Sequence, residues 1–391
     1  MVQPVYINRI SACLPHDPVS NDEMEGRLGM VGDRPSRARK LVLRSNGIQS
    51  RYYVIDPHSG QPTMNNAQLT AEAVRGLVGD GFELQKLQCL VASTSSPDQI
   101  MPNHAVMVHG ELGSPACEVV STSGICLCGV SALKYAWMSV ASGEADNAVA
   151  CGSEVASALM HAGNFEAELE SRVEQLERTP EIAFEKDFLR WMLSDGAGAV
   201  LLERQPNAAG LSLRIDWIDI LSFADQMPAC MYAGAEMTEQ GLVGWARIDA
   251  RERAERSVMA VKQNVKLLNE NIVRYTVEEA LRRIIPKRGL RAEDVDHFLP
   301  HYSSEFFRDR LAVGLHNVGL KIPQERWFTN LTSKGNTGSA SIFIILEELF
   351  NEGRLKAGER LLCYVPESGR FSSAFMHLTV VEGAASRHED R

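Results

Sequence analysis

The sequence of 391 residues contains no apolar run long enough to cross a membrane, and it has no excess of positive charge. Its formal net charge of −10 argues against nucleic-acid binding, and no nucleic-acid-binding motif is present. The N-terminal stretch lacks the basic and apolar regions of a secretion signal. Eight cysteines scattered over so long a chain do not resemble a disulfide framework, so we expect a reducing cytoplasm.

The composition is that of an ordinary globular protein, with 45% hydrophobic and 23% charged residues. Strands alternate with helices along the chain, which predicts an α/β fold with sheets covered on both faces. Each half shows a similar order of elements without a direct sequence repeat, so we predict two halves, residues 1–205 and 206–391. Residues 162–190, rich in Glu and Arg, are predicted to form an inserted helical segment over the active-site entrance.

Cys126 lies where a glycine-containing loop, within residues 121–133, leads into a predicted helix. The N-terminus of a helix presents unpaired backbone N–H groups and the positive end of the helix dipole, both of which favour a thiolate. That setting suits a nucleophile that carries an acyl group. A cysteine buried as a small core residue is the alternative, so this interpretation depends on residues further along the chain.

Three further polar residues lie where predicted strands end or helices begin, which is where α/β enzymes place their chemistry. Glu154 ends one strand, His301 ends another, and Asn336 precedes an apolar helix. Each also has a structural interpretation. Glu154 could cap a turn, His301 could be a hydrogen-bonded structural histidine, and Asn336 could belong to an ordinary Gly-Asn turn.

A basic segment covers residues 33–51 of this acidic protein and includes Arg37, Arg39, Lys40 and Arg44. Such a run is often a solvated helix face. The functional alternative is a binding site for the phosphates of coenzyme A or of a phosphorylated carrier, because guanidinium groups bind phosphate bidentately. A cluster of positive charge in a protein of net negative charge favours the phosphate-binding interpretation.

In this order and spacing, the motifs resemble the thiolase-fold condensing enzymes, most closely the ketoacyl-carrier-protein synthase III branch. The resemblance covers nearly the whole chain. It is carried by Cys126, Leu299-Pro-His301, Gly335-Asn-Thr-Gly-Ser-Ala-Ser341, Ser194-Asp-Gly-Ala-Gly-Ala199 and Arg44-Ser-Asn-Gly-Ile48. It implies a thiolase-like fold of two similar βαβ-type halves, with the sheets sandwiching helices and covered by others, and a homodimer.

The resemblance also implies a mechanism. Cys126 attacks a thioester and keeps the acyl group, and His301 and Asn336 donate hydrogen bonds to the thioester oxygen of the second substrate. The backbone N–H of Cys126, with one from the turn at Ser368 and Gly369, forms the oxyanion hole. The substrates are thioesters of coenzyme A or acyl carrier protein, and no metal or other cofactor is expected.

Cys128 offers a second thiol two positions after Cys126. Cys126 precedes Glu154 by 28 positions, the interval this superfamily shows between the nucleophile and the end of the next strand. We therefore expect Cys128 to be packed in the helix. A Cys-x-Cys metal site is not expected, because no second pair of ligands stands nearby in the sequence.

Residues 18–25 and 43–53 resemble a narrower group, the ketosynthase-cyclases of dialkylresorcinol and stilbene biosynthesis. These enzymes join a β-ketoacyl thioester to a second acyl thioester and close a cyclohexanedione ring. Glu154 would then be the general base that forms the carbon nucleophile without decarboxylation. The turn Glu367-Ser-Gly-Arg370 departs from the glycine run usual in synthase III enzymes, and we expect its side chains to reshape the acyl pocket.

Three alternatives stay open at this stage. A decarboxylative synthase III would start chains from acyl-CoA and a malonyl carrier protein, and it would not need Glu154. A catalytically silent partner subunit would use the fold only for assembly, against which the presence of Cys126, His301 and Asn336 argues. A coenzyme A thioester hydrolase would release free acid without a new carbon–carbon bond.

Overall fold

The computed structural model describes residues 3–31, 35–36, 39–79, 81–167 and 189–383. Arg37 and most of the predicted insertion at 162–190 lie outside the described residues, so the predicted covering of the entrance stays a prediction. Within the described part of the chain, no helix is both long enough and apolar enough to span a bilayer.

The strands follow the apolar runs of the sequence. In chain order they are β1 (Tyr6–Cys13), β2 (Val19–Ser20), β3 (Ser50–Arg51), β4 (Cys89–Thr94), β5 (Glu118–Ser123), β6 (Asn147–Glu154), β7 (Gly196–Glu203), β8 (Leu211–Ser222), β9 (Met231–Tyr232), β10 (Ala235–Thr238), β11 (Gly241–Gly244), β12 (Lys262–Gln263), β13 (His297–Pro300), β14 (Arg360–Glu367) and β15 (Ser372–Glu382). The strands β4, β6 and β7 are buried along nearly their whole length, as expected for strands covered on both faces.

The helices alternate with these strands. In chain order they are α1 (Met24–Leu28), α2 (Arg39–Asn46), α3 (Asn66–Arg75), α4 (His104–Leu112), α5 (Cys128–Ser142), α6 (Ala156–Met160), α7 (Ala250–Glu255), α8 (Val265–Val273), α9 (Ala280–Arg288), α10 (Arg308–Asn317), α11 (Leu331–Lys334) and α12 (Ser341–Asn351). Local signals set several of these boundaries: Asn65 forms a capping box at the start of α3, and Gly143 ends α5 in the left-handed conformation.

The main sheet has the strand order β13-β14-β15-β8-β1-β7-β6-β4-β5 in the described part of the chain. The two halves of the sheet meet where β1 runs antiparallel to β8, with Tyr6 opposite Arg214 and Ile7 opposite Leu213. The predicted sheets are therefore joined edge to edge into one mixed sheet. The boundary between residues 205 and 206 stays a prediction.

Helices α5 and α12 lie at the centre of the molecule. Their side chains, such as Leu133 and Phe343, share one hydrophobic cluster with strands of both halves. Helices α3 and α4 cover the outer face of the first half, and α8, α9 and α10 cover that of the second. Helix layers therefore alternate with the two halves of the sheet, as the predicted sandwich requires.

The two central helices approach each other at Gly129. A Cβ atom at Gly129 would overlap the carbonyl oxygen of Ser339, which lies in the turn before α12. Glycine is therefore required at this position of α5, and the close approach fixes the turn that follows Asn336 against the helix that follows Cys126.

A π-helical segment, Arg274–Glu279, links α8 to α9. It places the Thr276 hydroxyl 2.6 Å from the hydroxyl of Tyr364 on β14. Single π-helical turns occur frequently at functional sites. Here the segment follows the part of α8 that lines the cavity described below.

Candidate active site

Four elements bring the predicted residues to the centre of the molecule. Cys126 lies in the turn just before α5, and Glu154 is the last residue of β6. His301 follows β13, and Asn336 follows α11. The ends of these strands and the starts of these helices therefore lie together at the centre of the molecule, because they are the places at which the chain turns back.

Cys126 and His301 line one cavity. Its polar wall also contains Ser303 and Ser368, and its apolar wall comes largely from helices α8 and α10. The lining residues are Cys126, Leu268, Ile272, Val273, His301, Tyr302, Ser303, Phe307, Leu311, Tyr364, Pro366 and Ser368. A nucleophile and an imidazole thus face a mainly apolar space, which suits an acyl chain.

The surroundings of Cys126 act on the pKa of its thiol in opposite directions. Burial, and next the negative charges of Glu367 and Glu154, raise its pKa far above the ordinary cysteine value. The hydrogen bond from its own backbone N–H lowers the pKa only in part. Desolvation and the two carboxylates therefore favour the thiol form and oppose the effect expected of the helix N-terminus, so the predicted thiolate stays a prediction.

Cys128 is buried as the first residue of α5, and its thiol donates to the carbonyl of Ile125 at 2.9 Å. Burial raises its pKa well above the ordinary value. Cys128 is therefore a packed helix residue, as predicted, and among the described residues no group of three or more potential metal ligands is found.

His301 is held by the backbone of β14, since its N–H donates to the carbonyl of Tyr364 at 2.8 Å. The residue is buried, and burial lowers its pKa to about 4. The imidazole is therefore neutral near pH 7, and it acts as a hydrogen-bond donor or acceptor without a positive charge.

Asn336 is fixed by its own turn. Its side-chain oxygen accepts from the N–H of Gly338 at 3.0 Å, and its backbone carbonyl accepts from the N–H of Ser194 at 2.9 Å. Because the oxygen of the amide is engaged, its NH₂ group is the end available to a substrate oxygen. Asn336 is buried but is not among the residues that line the cavity with Cys126.

Glu154 accepts four hydrogen bonds. One carboxylate oxygen accepts from the N–H groups of Ser95 and Ser339, and the other accepts from the hydroxyls of Ser95 and Ser96 at 2.7 Å. Glu154 is buried and does not line the cavity. These contacts give it a clear structural role, joining the end of β6 to the turn before α12, and its predicted role as the general base stays a prediction.

The hairpin turn between β14 and β15 places Ser368 in the lining of the cavity with Cys126. The oxyanion hole formed by the backbone N–H groups of Cys126 and of Ser368 or Gly369 stays a prediction. The carbonyl of Gly369 accepts from the N–H of Cys230 at 2.8 Å, which anchors the turn. The carboxylate of Glu367 accepts from the N–H of Ile125 at 2.9 Å. Sequence reasoning noted Glu367 only as part of an unusual turn and missed its contact with the loop that carries Cys126.

The predicted phosphate-binding residues differ in their surroundings. Lys40 and Arg44 are exposed on α2, whereas Arg39 is bound to Glu25 at 2.6 Å. The end of α2 contacts the turn after Tyr302, because the Ser304 hydroxyl donates to the Ser45 carbonyl at 3.4 Å. Lys40 and Arg44 are therefore the described members of this set that remain accessible to a phosphate.

Two family models match this chain. The model "Beta-ketoacyl synthase, N-terminal domain" matches residues 92–208, which include Cys126 and Glu154. The model "3-Oxoacyl-[acyl-carrier-protein (ACP)] synthase III C terminal" matches residues 285–371, which include His301 and Asn336. The two matches contain the catalytic residues predicted from the sequence.

Proteins named β-ketoacyl-(acyl-carrier-protein) synthase III match this chain over most of its length. A β-ketoacyl-(acyl-carrier-protein) synthase III of Clostridium perfringens is 27% identical over 324 residues, covering 82% of this chain and 85% of that protein. The same enzyme of Koribacter versatilis is 23% identical over 377 residues, covering 95% and 97%.

Solved structures show the same fold. The tetronic acid condensing enzyme AbyA1 superposes with a TM-score of 0.73 at 20% identity, covering 96% of this chain and 99% of that chain. OleA of Xanthomonas campestris, solved with lauric acid and lauroyl-CoA, gives a TM-score of 0.71 at 19% identity, covering 97% and 100%.

These structures confirm the predicted thiolase-like α/β fold. The family models and the named relatives confirm the prediction of an acyl-transferring enzyme that resembles the condensing enzymes. Within that class the chain is similar to the β-ketoacyl synthases III, which form carbon–carbon bonds between acyl groups. Ketosynthases of this kind act on thioesters of coenzyme A or acyl carrier protein and use no metal or other cofactor.

Proposed function

We propose that this chain is a ketosynthase-cyclase. It carries a β-ketoacyl group on Cys126, joins that group to a second acyl thioester and closes a cyclohexanedione ring, the precursor of a dialkylresorcinol. The observation that carries the proposal is the pair of carboxylates around the predicted nucleophile: Glu367 accepts from the N–H of Ile125, next to Cys126, and Glu154 accepts from the N–H of Ser339, in the turn after Asn336. A decarboxylative enzyme forms its carbon nucleophile by losing carbon dioxide, whereas a non-decarboxylative enzyme must remove a proton and needs a base.

The cavity supports the same proposal. Leu268, Ile272, Phe307 and Leu311 give it an apolar wall next to Cys126. Burying the methylene groups of a medium or long acyl chain against this wall is favourable, at about 0.8 kcal/mol for each CH₂ group. Structural relatives named for a tetronic acid condensation and for lauroyl-CoA binding are consistent with substrates of this kind.

A second candidate is a decarboxylative synthase III that uses acyl-CoA and a malonyl carrier protein. It is favoured by the relatives at 27% and 23% identity, which carry that name. The two functions differ in what loads the nucleophile and in whether carbon dioxide is released.

The deciding experiment measures the intact mass of the protein after incubation with acetyl-CoA or, separately, with a medium-chain β-ketoacyl-CoA, and maps the adduct by peptide digestion. Loading of Cys126 by the β-ketoacyl group and not by acetyl, followed by a cyclised product after a second acyl thioester is added, supports the proposal. Loading by acetyl alone points to the decarboxylative enzyme, and no loading by either points to a silent subunit.

The two neighbouring thiols provide matched variants. Cys126→Ala removes the predicted nucleophile, so we expect no adduct. Cys128→Ala removes a buried thiol of the same helix start, and we expect the adduct to persist. An adduct on Cys128 in either protein contradicts the assignment.

We also propose a homodimer joined through the edge of the sheet. Strand β5 pairs with β4 on one side, and no described strand pairs with its other side. Its Val119 and Val120 are half-buried, and Met138 on the adjoining α5 is exposed. Light scattering should give twice the chain mass of 43.1 kDa, whereas a monomer mass contradicts this proposal. The cytoplasmic location stays a prediction from the cysteine content.

A further inference from the structure

The turn that carries Asn336 is held by a segment from the N-terminal part of the chain. The N–H of Asn336 donates to the carbonyl of Met192 at 3.1 Å, and the carbonyl of Asn336 accepts from the N–H of Ser194 at 2.9 Å. These two hydrogen bonds form a short parallel pairing, with Leu193 opposite Asn336. The backbone of Asn336 therefore takes its position from residues 192–194.

A second N-terminal segment holds the chain just before Asn336. The N–H of Gln49 donates to the carbonyl of Thr332 at 2.8 Å, and the hydroxyl of Ser50 donates to the carbonyl of Ser333 at 2.7 Å. Both carbonyls belong to α11. This second segment therefore fixes the helix that leads into the turn.

The side chain of Arg51 joins these two segments. It is fully buried, and one terminal nitrogen of its guanidinium donates to the carbonyl of Trp191 at 3.3 Å. The other terminal nitrogen donates to the side-chain oxygen of Asn21 at 2.5 Å, and the amide of Asn21 donates to the carbonyl of Ile48 at 2.9 Å. The guanidinium therefore connects the start of one segment to the start of the other.

Arg51 also packs directly against the turn of Asn336. A Cβ atom at Gly335 would lie 3.0 Å from the Cβ of Arg51 and 2.9 Å from the Cβ of Ser194, so no side chain fits there. Gly335 has a φ of 72°, in the left-handed region that favours glycine. The residue before Asn336 therefore lies against both segments.

The burial of this guanidinium is unfavourable by itself. Its two acceptors, an amide oxygen and a backbone carbonyl, carry no charge. The Nε atom is buried and has no hydrogen-bond partner in the described part of the chain. Taking an arginine out of water without an opposite charge costs free energy, and a methionine would avoid that cost. Arg51 is therefore better explained by the geometry that it imposes than by a contribution to stability.

We propose that Arg51 is a positioning residue for condensation, which holds the amide of Asn336 where the oxygen of the second thioester binds. Its guanidinium fixes the two segments against each other, and the segments fix the turn. Condensation depends on this amide, whereas loading of Cys126 depends on the predicted oxyanion hole. Loss of Arg51 should therefore slow condensation and leave loading nearly unchanged. This inference rests on the role predicted for Asn336 and on the condensation of the proposed function, but not on its ring closure.

The test compares two single-turnover rates in Arg51→Met. Loading of Cys126 by a medium-chain β-ketoacyl-CoA is followed by intact mass, and condensation is followed as the loss of this adduct after a second acyl thioester is added. If only acetyl-CoA loads the wild type, the same two rates are measured with acetyl-CoA and a malonyl thioester. We expect condensation to become about 10- to 100-fold slower and loading to change by less than about 2-fold, because a displacement of about 1 Å is enough for such a loss. If both rates fall equally, or condensation is unchanged, the proposal is wrong.

Two single variants separate geometry from charge and from general stability. Arg51→Lys keeps the charge, but one ammonium group cannot reach both acceptors, so we expect slower condensation here too. A wild-type rate in this variant contradicts the proposal, because the charge alone would then be sufficient. Arg190→Met removes a second buried guanidinium, which donates to the carbonyls of Gly29 and Met160, and it should leave the ratio of the two rates unchanged. An equal drop of the ratio in Arg190→Met would assign the effect to lost stability and overturn the proposal.

A double variant shows whether Arg51 acts through Asn336. Asn336→Asp removes the amide donor, so adding Arg51→Met to it should slow condensation little further. Effects that multiply independently contradict the proposal. If Asn336→Asp leaves condensation unchanged, or the wild type neither loads nor condenses, the role predicted for Asn336 and this inference are both wrong. If both single variants slow condensation but no ring is formed, the inference stands and only the proposed ring closure is wrong.

Discussion

Lowering the pH should destabilise this protein through His301 in particular. Burial sets the pKa of its imidazole at about 4 in the folded state, whereas an unperturbed histidine has a pKa of about 6.5. Because the folded state holds the neutral form, the stabilisation is complete above about pH 6.5 and is lost as the pH falls towards about 4. One pH unit corresponds to about 1.4 kcal/mol, so the full loss is about 3 kcal/mol and the loss at pH 5 is about 2 kcal/mol.

The measurement compares guanidinium unfolding of the wild type and His301→Gln at pH 7.5 and pH 5. The variant does not titrate at this position, so its free energy of unfolding should fall by about 2 kcal/mol less than that of the wild type. His104→Gln is a variant matched to His301→Gln, because burial also lowers the pKa of His104 to about 4. Its free energy of unfolding should likewise fall less than that of the wild type between pH 7.5 and pH 5. His58→Gln, at an exposed turn, should lose as much as the wild type.

An equal loss in the wild type and in His301→Gln would refute the reasoning. It would mean that His301 is protonated in the folded protein without penalty. The neutral hydrogen-bonding role assigned to it would then be wrong as well.

Three other outcomes follow from the contacts of the site. Gly129→Ala should lower the free energy of unfolding by about 1–3 kcal/mol in denaturant titrations, because its methyl group would overlap the Ser339 carbonyl; a neutral effect would show that the central helices separate easily. Asn336→Asp should slow condensation by about 100-fold or more while Cys126 acylation changes little, because the amide donor is lost; equal effects on both steps would contradict this role. Reversing the charges of Lys40 and Arg44 should raise KM for coenzyme A thioesters by about 10-fold without changing kcat, with the difference shrinking in high salt; an unchanged KM would assign them to a solvated helix face.

The strands, and the place of Cys126 just before a helix, could be predicted because their signals are local. Apolar runs that end in polar residues located β4, β6 and β13, and the loop before α5 located Cys126. The sequence also distinguished Cys126 from Cys128 by spacing, and the structure places the second thiol inside the helix.

The surroundings of the thiol could not be predicted, because they come from distant parts of the chain. Glu367 contacts a residue 242 positions away, and no local pattern carries that information. A glutamate that ends an apolar strand just before a Ser-Gly turn was the signal available for Glu367. In the same way, the basic run suggested free cations, but the pairing of Arg39 with Glu25 depends on how two segments pack.

The pairing of β1 with β8 has a mechanical consequence. Many enzymes with two similar halves enclose a substrate by rotating one half over the other about a hinge. Here the hydrogen-bonded pairing of β1 with β8 and a shared hydrophobic cluster connect the halves. Such a rotation would break these hydrogen bonds and separate the side chains of the cluster. We therefore expect substrates to enter and leave through movements of side chains and surface segments, without a rotation of one half over the other.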